Sequence, residues 1–319
     1  MISVTRPPSE SSTMIVFSDE NIRTMCMWQT SVFISTLTYA RMFNTETKQN
    51  FVQYFKEPAG FGMMEAIHPE VAIGMTDSGF ACAVTARGIT ACMKYEDVKC
   101  ITRLTPGKLG VANETWISQV DFNTCADLVN LYTGDDYFVR CMGSHGTSCI
   151  LTGLNSSTSV DHSAVAMWDF RDKNVCWKSR AVGDDHSMNV VRSVGTYVIG
   201  ADEDAIMVWD ARKANQVCSS IRVYDTACIC PNDKSQFVAA NLHQRVYTFM
   251  DVANIDRQHM LSVVRRCACI PRCAESHKGM ISIICESKSE LNSVNPACAR
   301  QPRYPHKRGG IQFCDPGTF

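Results

Sequence analysis

The chain has 319 residues, of which 31 are basic and 32 acidic, and 45% are hydrophobic. A formal net charge of −1 argues against a protein devoted to bulk nucleic-acid or membrane-surface binding, although it leaves room for a local patch. Residues 1–19 lack the pattern of a secretory signal, and no apolar run is long enough to span a membrane. The 17 cysteines are therefore expected to be reduced and mostly buried, in the cytoplasm, the nucleus or both.

The first predicted element is an apolar segment at residues 13–17, with the length of one strand. It belongs to none of the repeats that follow it, and the last of those repeats stops at Phe319, just past its third strand. We expect residues 13–17 to supply the fourth strand of the last repeat, because such closure removes exposed sheet edges.

A repeated strand motif runs along the rest of the chain, with apolar residues at alternate positions before a Trp or a Trp-like residue. The Trp-like positions are 43, 92, 132, 168, 209, 250 and 314. Trp168 and Trp209 are each followed by Asp, and their separation falls within the WD-repeat period of about 40–45 residues. The longer first spacing, 43 to 92, is interpreted as a connecting loop around residues 56–64. The pattern predicts seven repeats.

Two of these repeats share a second landmark. In both repeats a His lies at the same distance before the Trp, in the loop that precedes the repeat. An Asp also lies at the same distance before the Trp in both repeats, in the turn before the third strand. A buried indole N–H needs an acceptor, so a hydrogen-bonded chain from His through Asp to Trp is expected, with Ser159 as a candidate hydroxyl in the first repeat. These structural residues are His145, Asp161 and Trp168 in one repeat, and His186, Asp202 and Trp209 in the next.

The turn at Asp202 carries two further carboxylates, Glu203 and Asp204. If Asp202 is structural, these two side chains are free to face outward from a rigid turn. They then suit a partner segment that bears Arg or Lys. The alternative is that they only solvate the turn.

Four metal-binding residue types lie close together at Cys267, Cys269, Cys273 and His277. They could hold zinc tetrahedrally, but their spacing fits no common finger, and ordinary core or loop cysteines are favoured. The chain also has no nucleophile elbow, P-loop or HExxH motif. We therefore expect no enzyme activity, no cofactor and no metal.

The spacing between positions 250 and 314 is much longer than the repeat period, and the surplus falls at residues 286–308. Prolines and charge predict a loop insertion in the last repeat. It carries four basic residues, Arg300, Arg303, Lys307 and Arg308. These could bind a protein partner or make a weak RNA contact, and the alternative is a solvated insertion.

Several segments resemble the Bub/Rae group of WD-repeat proteins, which act in the mitotic checkpoint and in mRNA export at the nuclear pore. The similarity lies in VAMWDFRDKNVC at 165–176, in SVGTYVIGADEDAIMVWDARKAN at 193–215, and in residues 226–249 and 35–55; the final FCDP resembles the W-D-P of the group. The resemblance implies a single all-β domain over residues 1–319, a seven-bladed WD40 β-propeller closed by an N-terminal strand. It also implies an adaptor, monomeric within a complex, that grips a short partner segment.

The sequence departs from that group where the partner would bind. The group has an Arg at the turn equivalent to 202–204, where this chain has Asp-Glu-Asp. Thr36 and Leu37, and likewise Val160 and Asp161, stand where a Trp is expected. Either the partner differs accordingly, or the chain is a general WD-repeat scaffold in another assembly, whether ribosomal, cytoskeletal or RNA-associated.

Overall fold

The computed structural model describes residues 14–18, 22–55, 60–124, 126–134, 137–156, 163–179, 187–213, 217–224, 226–231, 236–241, 246–252, 264–266, 270–277, 280–286 and 308–314. Within these ranges the secondary structure is β-strand, with no α-helix. The strands form four-stranded antiparallel sheets, an arrangement typical of a propeller-like all-β fold.

A single strand, β1 (Met14–Ser18), precedes a series of four-stranded units that follow one another along the chain. Sheet 1 holds β2 (Thr24–Trp28), β3 (Ser31–Ser35), β4 (Tyr39–Asn44) and β5 (Asn50–Tyr54). Sheet 2 holds β6 (Met63–His68), β7 (Val71–Met75), β8 (Phe80–Thr85) and β9 (Gly88–Lys94). Sheet 3 holds β10 (Cys100–Thr105), β11 (Lys108–Ala112), β12 (Trp116–Asp121) and β13 (Ala126–Tyr132).

The later units have the same order. Sheet 4 holds β14 (Tyr137–His145), β15 (Cys149–Ser156), β16 (Ser163–Asp169) and β17 (Asn174–Lys178). Sheet 5 holds β18 (Val190–Val194), β19 (Tyr197–Ala201), β20 (Ala205–Asp210) and β21 (Ser219–Arg222). Sheet 6 holds β22 (Thr226–Pro231), β23 (Gln236–Asn241), β24 (Val246–Asp251) and β25 (Val264–Arg266). Sheet 7 holds β26 (Ile270–His277), β27 (Met280–Glu286) and β28 (Arg308–Cys314), with β1.

Most of the core in the described residues lies between neighbouring sheets. One cluster joins Phe33 of sheet 1 to Ala72 of sheet 2, and another joins Ile73 of sheet 2 to Leu109 of sheet 3. Further clusters of the same kind join sheets 3 and 4, 4 and 5, and 5 and 6. Alternate strand residues therefore face the two neighbouring sheets, which explains why both faces of the inner strands are apolar.

The N-terminal strand completes the last sheet. β1 pairs antiparallel with β28, from Met14 opposite Gln312 to Ser18 opposite Arg308. The segment predicted at residues 13–17 is thus present as a strand, with its bounds shifted one position along the chain. Most of the predicted insertion, residues 287–307, lies outside the described residues.

The sheet order corrects two of the predicted repeat positions. Cys92 lies in β9 and Tyr132 in β13, and both are fourth strands. The registers place Val84 and Val120 at the positions that Trp168 occupies in sheet 4. Val84 follows Phe43 at the same interval that separates Trp209 from Trp168, so the surplus loop predicted around residues 56–64 is not needed to explain the spacing.

One glycine is required by the packing of the inner sheets. The backbone of Gly74 in β7 lies against the ring of Phe61, and a Cβ at this position would come within 2.4 Å of that ring. Phe61 is fully buried, so its ring cannot move toward solvent to make room. Because Gly74 has no side chain, the segment that contains Phe61 and enters sheet 2 can pass close to β7.

Candidate functional site

Each sheet has two ends, and one of them carries most of the features relevant to binding. We call the end at which the first and third strands begin the upper rim, and the opposite end the lower rim. Hydrogen bonds align the upper rims of neighbouring sheets: Phe61 N donates to Ser35 Oγ (2.9 Å), and Val139 N donates to the carbonyl of Glu114 (2.8 Å). In each case the acceptor lies at the end of a second strand or in the turn that follows it, and the donor lies in the segment that begins the next sheet.

The upper rim holds most of the exposed large hydrophobic side chains. Eight such side chains occur among the described residues, and six of them lie at strand ends or turns of this rim. The six are Leu37 and Tyr54 in sheet 1, Phe80 in sheet 2, Trp116 and Tyr132 in sheet 3, and Tyr224 after sheet 5. Clustered exposed apolar groups mark interaction sites more often than scattered ones do.

The acidic turn predicted at residues 202–204 lies on the same rim, between β19 and β20. Asp202 is buried, and its Oδ1 accepts hydrogen bonds from Asp204 N (2.8 Å) and Ala205 N (2.6 Å). Glu203 is exposed and Asp204 is half-buried. Asp202 therefore fixes its own turn, as an Asp at the start of a turn commonly does. Its predicted partner His186 lies outside the described residues.

The hydrogen-bonded chain predicted around Trp168 is wrong in its assignment of His145. His145 ends β14 at the lower rim, opposite Cys149, whereas β15 ends and β16 begins at the upper rim. Trp168 Nε1 donates instead to Thr152 Oγ1 in β15 (2.9 Å). Asp161 and Ser159 lie outside the described residues. Burial lowers the pKa of His145, which favours its neutral form.

Trp209 occupies the corresponding place in sheet 5 without that hydroxyl. The registers put Gly200 where Thr152 stands in sheet 4, and a Cβ on Gly200 would lie 3.1 Å from the indole ring. Trp209 is fully buried, and its Nε1 has no acceptor within the described part of the chain. Both tryptophans are buried third-strand residues, as the repeat predicted, but only one of the two indole N–H groups has an acceptor there.

The Asp that follows each Trp makes a repeated ion pair at the lower rim. Asp169 accepts from Arg171 Nε (3.0 Å), and Asp210 accepts from Arg212 Nε (2.9 Å) and Nη2 (2.8 Å). The hydrogen bond from Arg212 holds the pKa of Asp210 at about 2. Both repeats contain the spacing W-D-x-R in the sequence, and this shared spacing could have predicted the ion pair.

The predicted basic and metal-binding residues are only partly described. Arg300, Arg303 and Lys307 lie outside the described residues, and Arg308 is the first residue of β28. Cys267 and Cys269 are also outside, whereas Cys273 and His277 lie in β26. In the part of the chain that the structure describes, no three His, Cys, Asp or Glu side chains are placed to hold a metal ion.

Four of the described cysteine thiols lie in surroundings that disfavour the thiolate. Burial raises the pKa of Cys141 to about 12, and burial also raises that of Cys100, Cys149 and Cys176. A nucleophilic thiol needs the opposite shift, since the thiolate is the reactive form. These cysteines therefore resemble structural ones.

Comparison with known proteins places the chain in no family: no family model matches it, and no curated protein does. A search of the described residues for a helix long and apolar enough to cross a membrane found none.

Proposed function

We propose that this chain is a non-catalytic scaffold, a single seven-bladed WD-type propeller closed by its N-terminal strand, that holds a short segment of a partner protein. The adaptor role resembles that of the Bub/Rae group, in the mitotic checkpoint or in mRNA export, in the cytoplasm, the nucleus or both. The partner would be held at the upper rim. The alternative is a general scaffold subunit of another large assembly.

The concentration of exposed hydrophobic side chains on one rim carries this proposal. Soluble proteins seldom gather Trp, Tyr, Phe and Leu at one exposed end unless a partner covers them. Tyr224 lies beside the acidic turn, and Val223 N donates to the carbonyl of Asp204 (3.0 Å), which ties the two features together. A rigid turn loses little conformational freedom when a partner binds, and this favours affinity.

Glu203 is the outward charge of the acidic turn, and an Arg- or Lys-bearing partner segment suits it. The predicted contacts of Arg300, Arg303, Lys307 and Arg308, including a weak RNA contact, remain a secondary expectation.

The test is affinity purification from cell extract with Glu203→Lys/Asp204→Lys, compared with the unaltered chain. The matched control is Glu46→Lys/Asp172→Lys, which makes the same charge change at exposed lower-rim turns. We expect the first variant alone to lose a partner, most visibly at low salt. Equal recovery with both variants would remove the acidic turn from the proposal, and the basic insertion would become the leading candidate.

A further inference from the structure

We infer that the upper rim of sheets 2 and 3 binds an arginine-bearing segment of a partner protein, at a surface separate from the turn at Glu203. This inference rests on the proposed scaffold function and adds the chemistry of the partner. We call the site the aromatic-acidic surface. It consists of Phe80, Glu96, Asp97, Trp116 and Tyr132.

The three aromatic side chains are exposed although their backbones are firmly held. Phe80 is 42% exposed, and Trp116 and Tyr132 are each 45% exposed. Phe80 N donates to Thr76 Oγ1 (2.9 Å), and Trp116 N donates to Asn113 Oδ1 (2.8 Å), so both residues follow capped turns. The rings of Trp116 and Tyr132 are 4.9 Å apart. The surface is therefore preorganised.

Two carboxylates lie on the segment that links these aromatic groups. Glu96 and Asp97 are exposed, between the end of β9 and the start of β10. Tyr95 N donates to the carbonyl of Gly79 (2.8 Å) in the turn before Phe80, and Lys99 Nζ contacts Glu114 Oε1 (3.1 Å) in the turn before Trp116. The acidic segment is thus anchored to both aromatic turns.

Three cations on the adjoining described segments already have partners. Lys99 is paired with Glu114, Arg23 with Asp77 (3.0 Å), and Lys94 lies 5.7 Å from the centre of the Phe80 ring. Within the described residues, Glu96 and Asp97 form no ion pair of the kind made by Asp77 and Glu114. Glu96 and Asp97 therefore offer negative charge without an ion pair in the described residues, on a segment that is anchored to the turns of Phe80 and Trp116.

An arginine matches both features at once. Its planar guanidinium stacks on an aromatic ring and donates two parallel hydrogen bonds to a carboxylate, whereas a lysine supplies charge without the planar stack. An acidic peptide or the phosphates of RNA would instead face Glu96 and Asp97 and be repelled. Charge complementarity thus selects an arginine-bearing protein segment as the occupant.

The chain contains its own reporter for the test. All five tryptophans are described: Trp116 is exposed, Trp28 and Trp177 are half-buried, and Trp168 and Trp209 are buried. The part of the acrylamide quenching that Trp116→Phe removes therefore reports on this surface. The probe is a synthetic dodecapeptide with three Arg among Gly and Ser, compared with versions carrying Lys or Glu and with a single-stranded oligouridine. Trp116→Phe serves to assign the signal, with binding then followed by anisotropy of the labelled peptide.

We expect the arginine peptide to shield Trp116 and to bind at least about tenfold more tightly than the glutamate peptide, with the lysine peptide between them. Glu96→Lys/Asp97→Lys should weaken binding about tenfold, and Glu46→Lys/Asp172→Lys should not. Equal binding by these two variants, or preference for the glutamate peptide or the oligouridine, overturns the inference. If the Glu203→Lys/Asp204→Lys variant loses its cellular partner but still binds the arginine peptide, the two surfaces are separate. If the cellular partner depends on Glu203 and Asp204 but the arginine peptide does not bind as expected, this inference fails and the proposed scaffold function is unaffected.

Discussion

Thr152 Oγ1 accepts the indole hydrogen of Trp168 at 2.9 Å, across the pair formed by β15 and β16. Both residues are buried, so no water can replace the acceptor if it is removed. Thr152→Val should therefore cost about 1–3 kcal/mol of unfolding free energy, measured by chemical denaturation. In a Trp168→Phe background the same change should cost clearly less, because no donor remains. An equal cost in both backgrounds would show that the hydrogen bond is not the cause.

The contact of Gly74 with Phe61 gives a second test. Gly74→Ala places a methyl group within 2.4 Å of a fully buried ring, and we expect a loss of about 1–3 kcal/mol from overpacking. Phe61→Ala lacks the Cγ and Cδ atoms that crowd the new methyl group, so it should relieve much of the clash in the double variant, a coupling that a double-mutant cycle measures. Strict additivity of the two changes would contradict this account.

Acid stability should depend on the lower-rim ion pairs. The Arg212 hydrogen bond lowers the pKa of Asp210 to about 2 in the folded chain, so its stabilisation is present above the unfolded pKa of about 4. It is lost as the pH falls from about 4 toward 2. We expect Asp210→Asn to lower stability at pH 7 by about 1.5–3 kcal/mol and to make the loss between pH 4 and 2 shallower. An unchanged acid transition would assign that loss to other carboxyls.

Removal of the N-terminal strand should weaken the last sheet. Deleting residues 1–18 removes every partner of β28 on that side, from Ser18 at Arg308 to Met14 at Gln312. We expect a lower melting temperature and a new tendency to associate, because an unpaired edge is exposed. Deleting residues 1–13 is the matched control, since it leaves β1 intact. A melting temperature that stays constant in both deletions would rule out a stabilising role for β1.

Sequence alternation identified the third strand in most sheets but failed in sheets 2 and 3. Alternation shows that a strand is buried on one side, and it does not show which of four strands it is. In sheet 3 the outer strand ends in Leu131 and Tyr132, whereas the third strand carries Val120 in place of a Trp. The third strand is distinguished from the outer strand by its pairing with β11, which the sequence pattern does not show.

The candidate site was harder to predict than the fold. The acidic turn was visible because Asp-Glu-Asp follows a strand and precedes another. The exposure of Phe80 and Trp116 was not visible, since a large apolar residue at the start of a strand usually enters the core. Their exposure follows from where the neighbouring sheets end, which is a property of the packing. The acceptor of Trp168 was missed for a similar reason, because it lies across the strand pair.

The pairing of β1 with β28 also has a consequence for biosynthesis. Met14 and Gln312 are neighbours in the sheet, although almost the whole chain separates them in sequence. At translation rates of about 5–20 residues per second, β1 leaves the ribosome roughly 15–60 s before its partner exists. During that interval a short apolar strand has no native partner. The last sheet can therefore become native only after β28 has been synthesised.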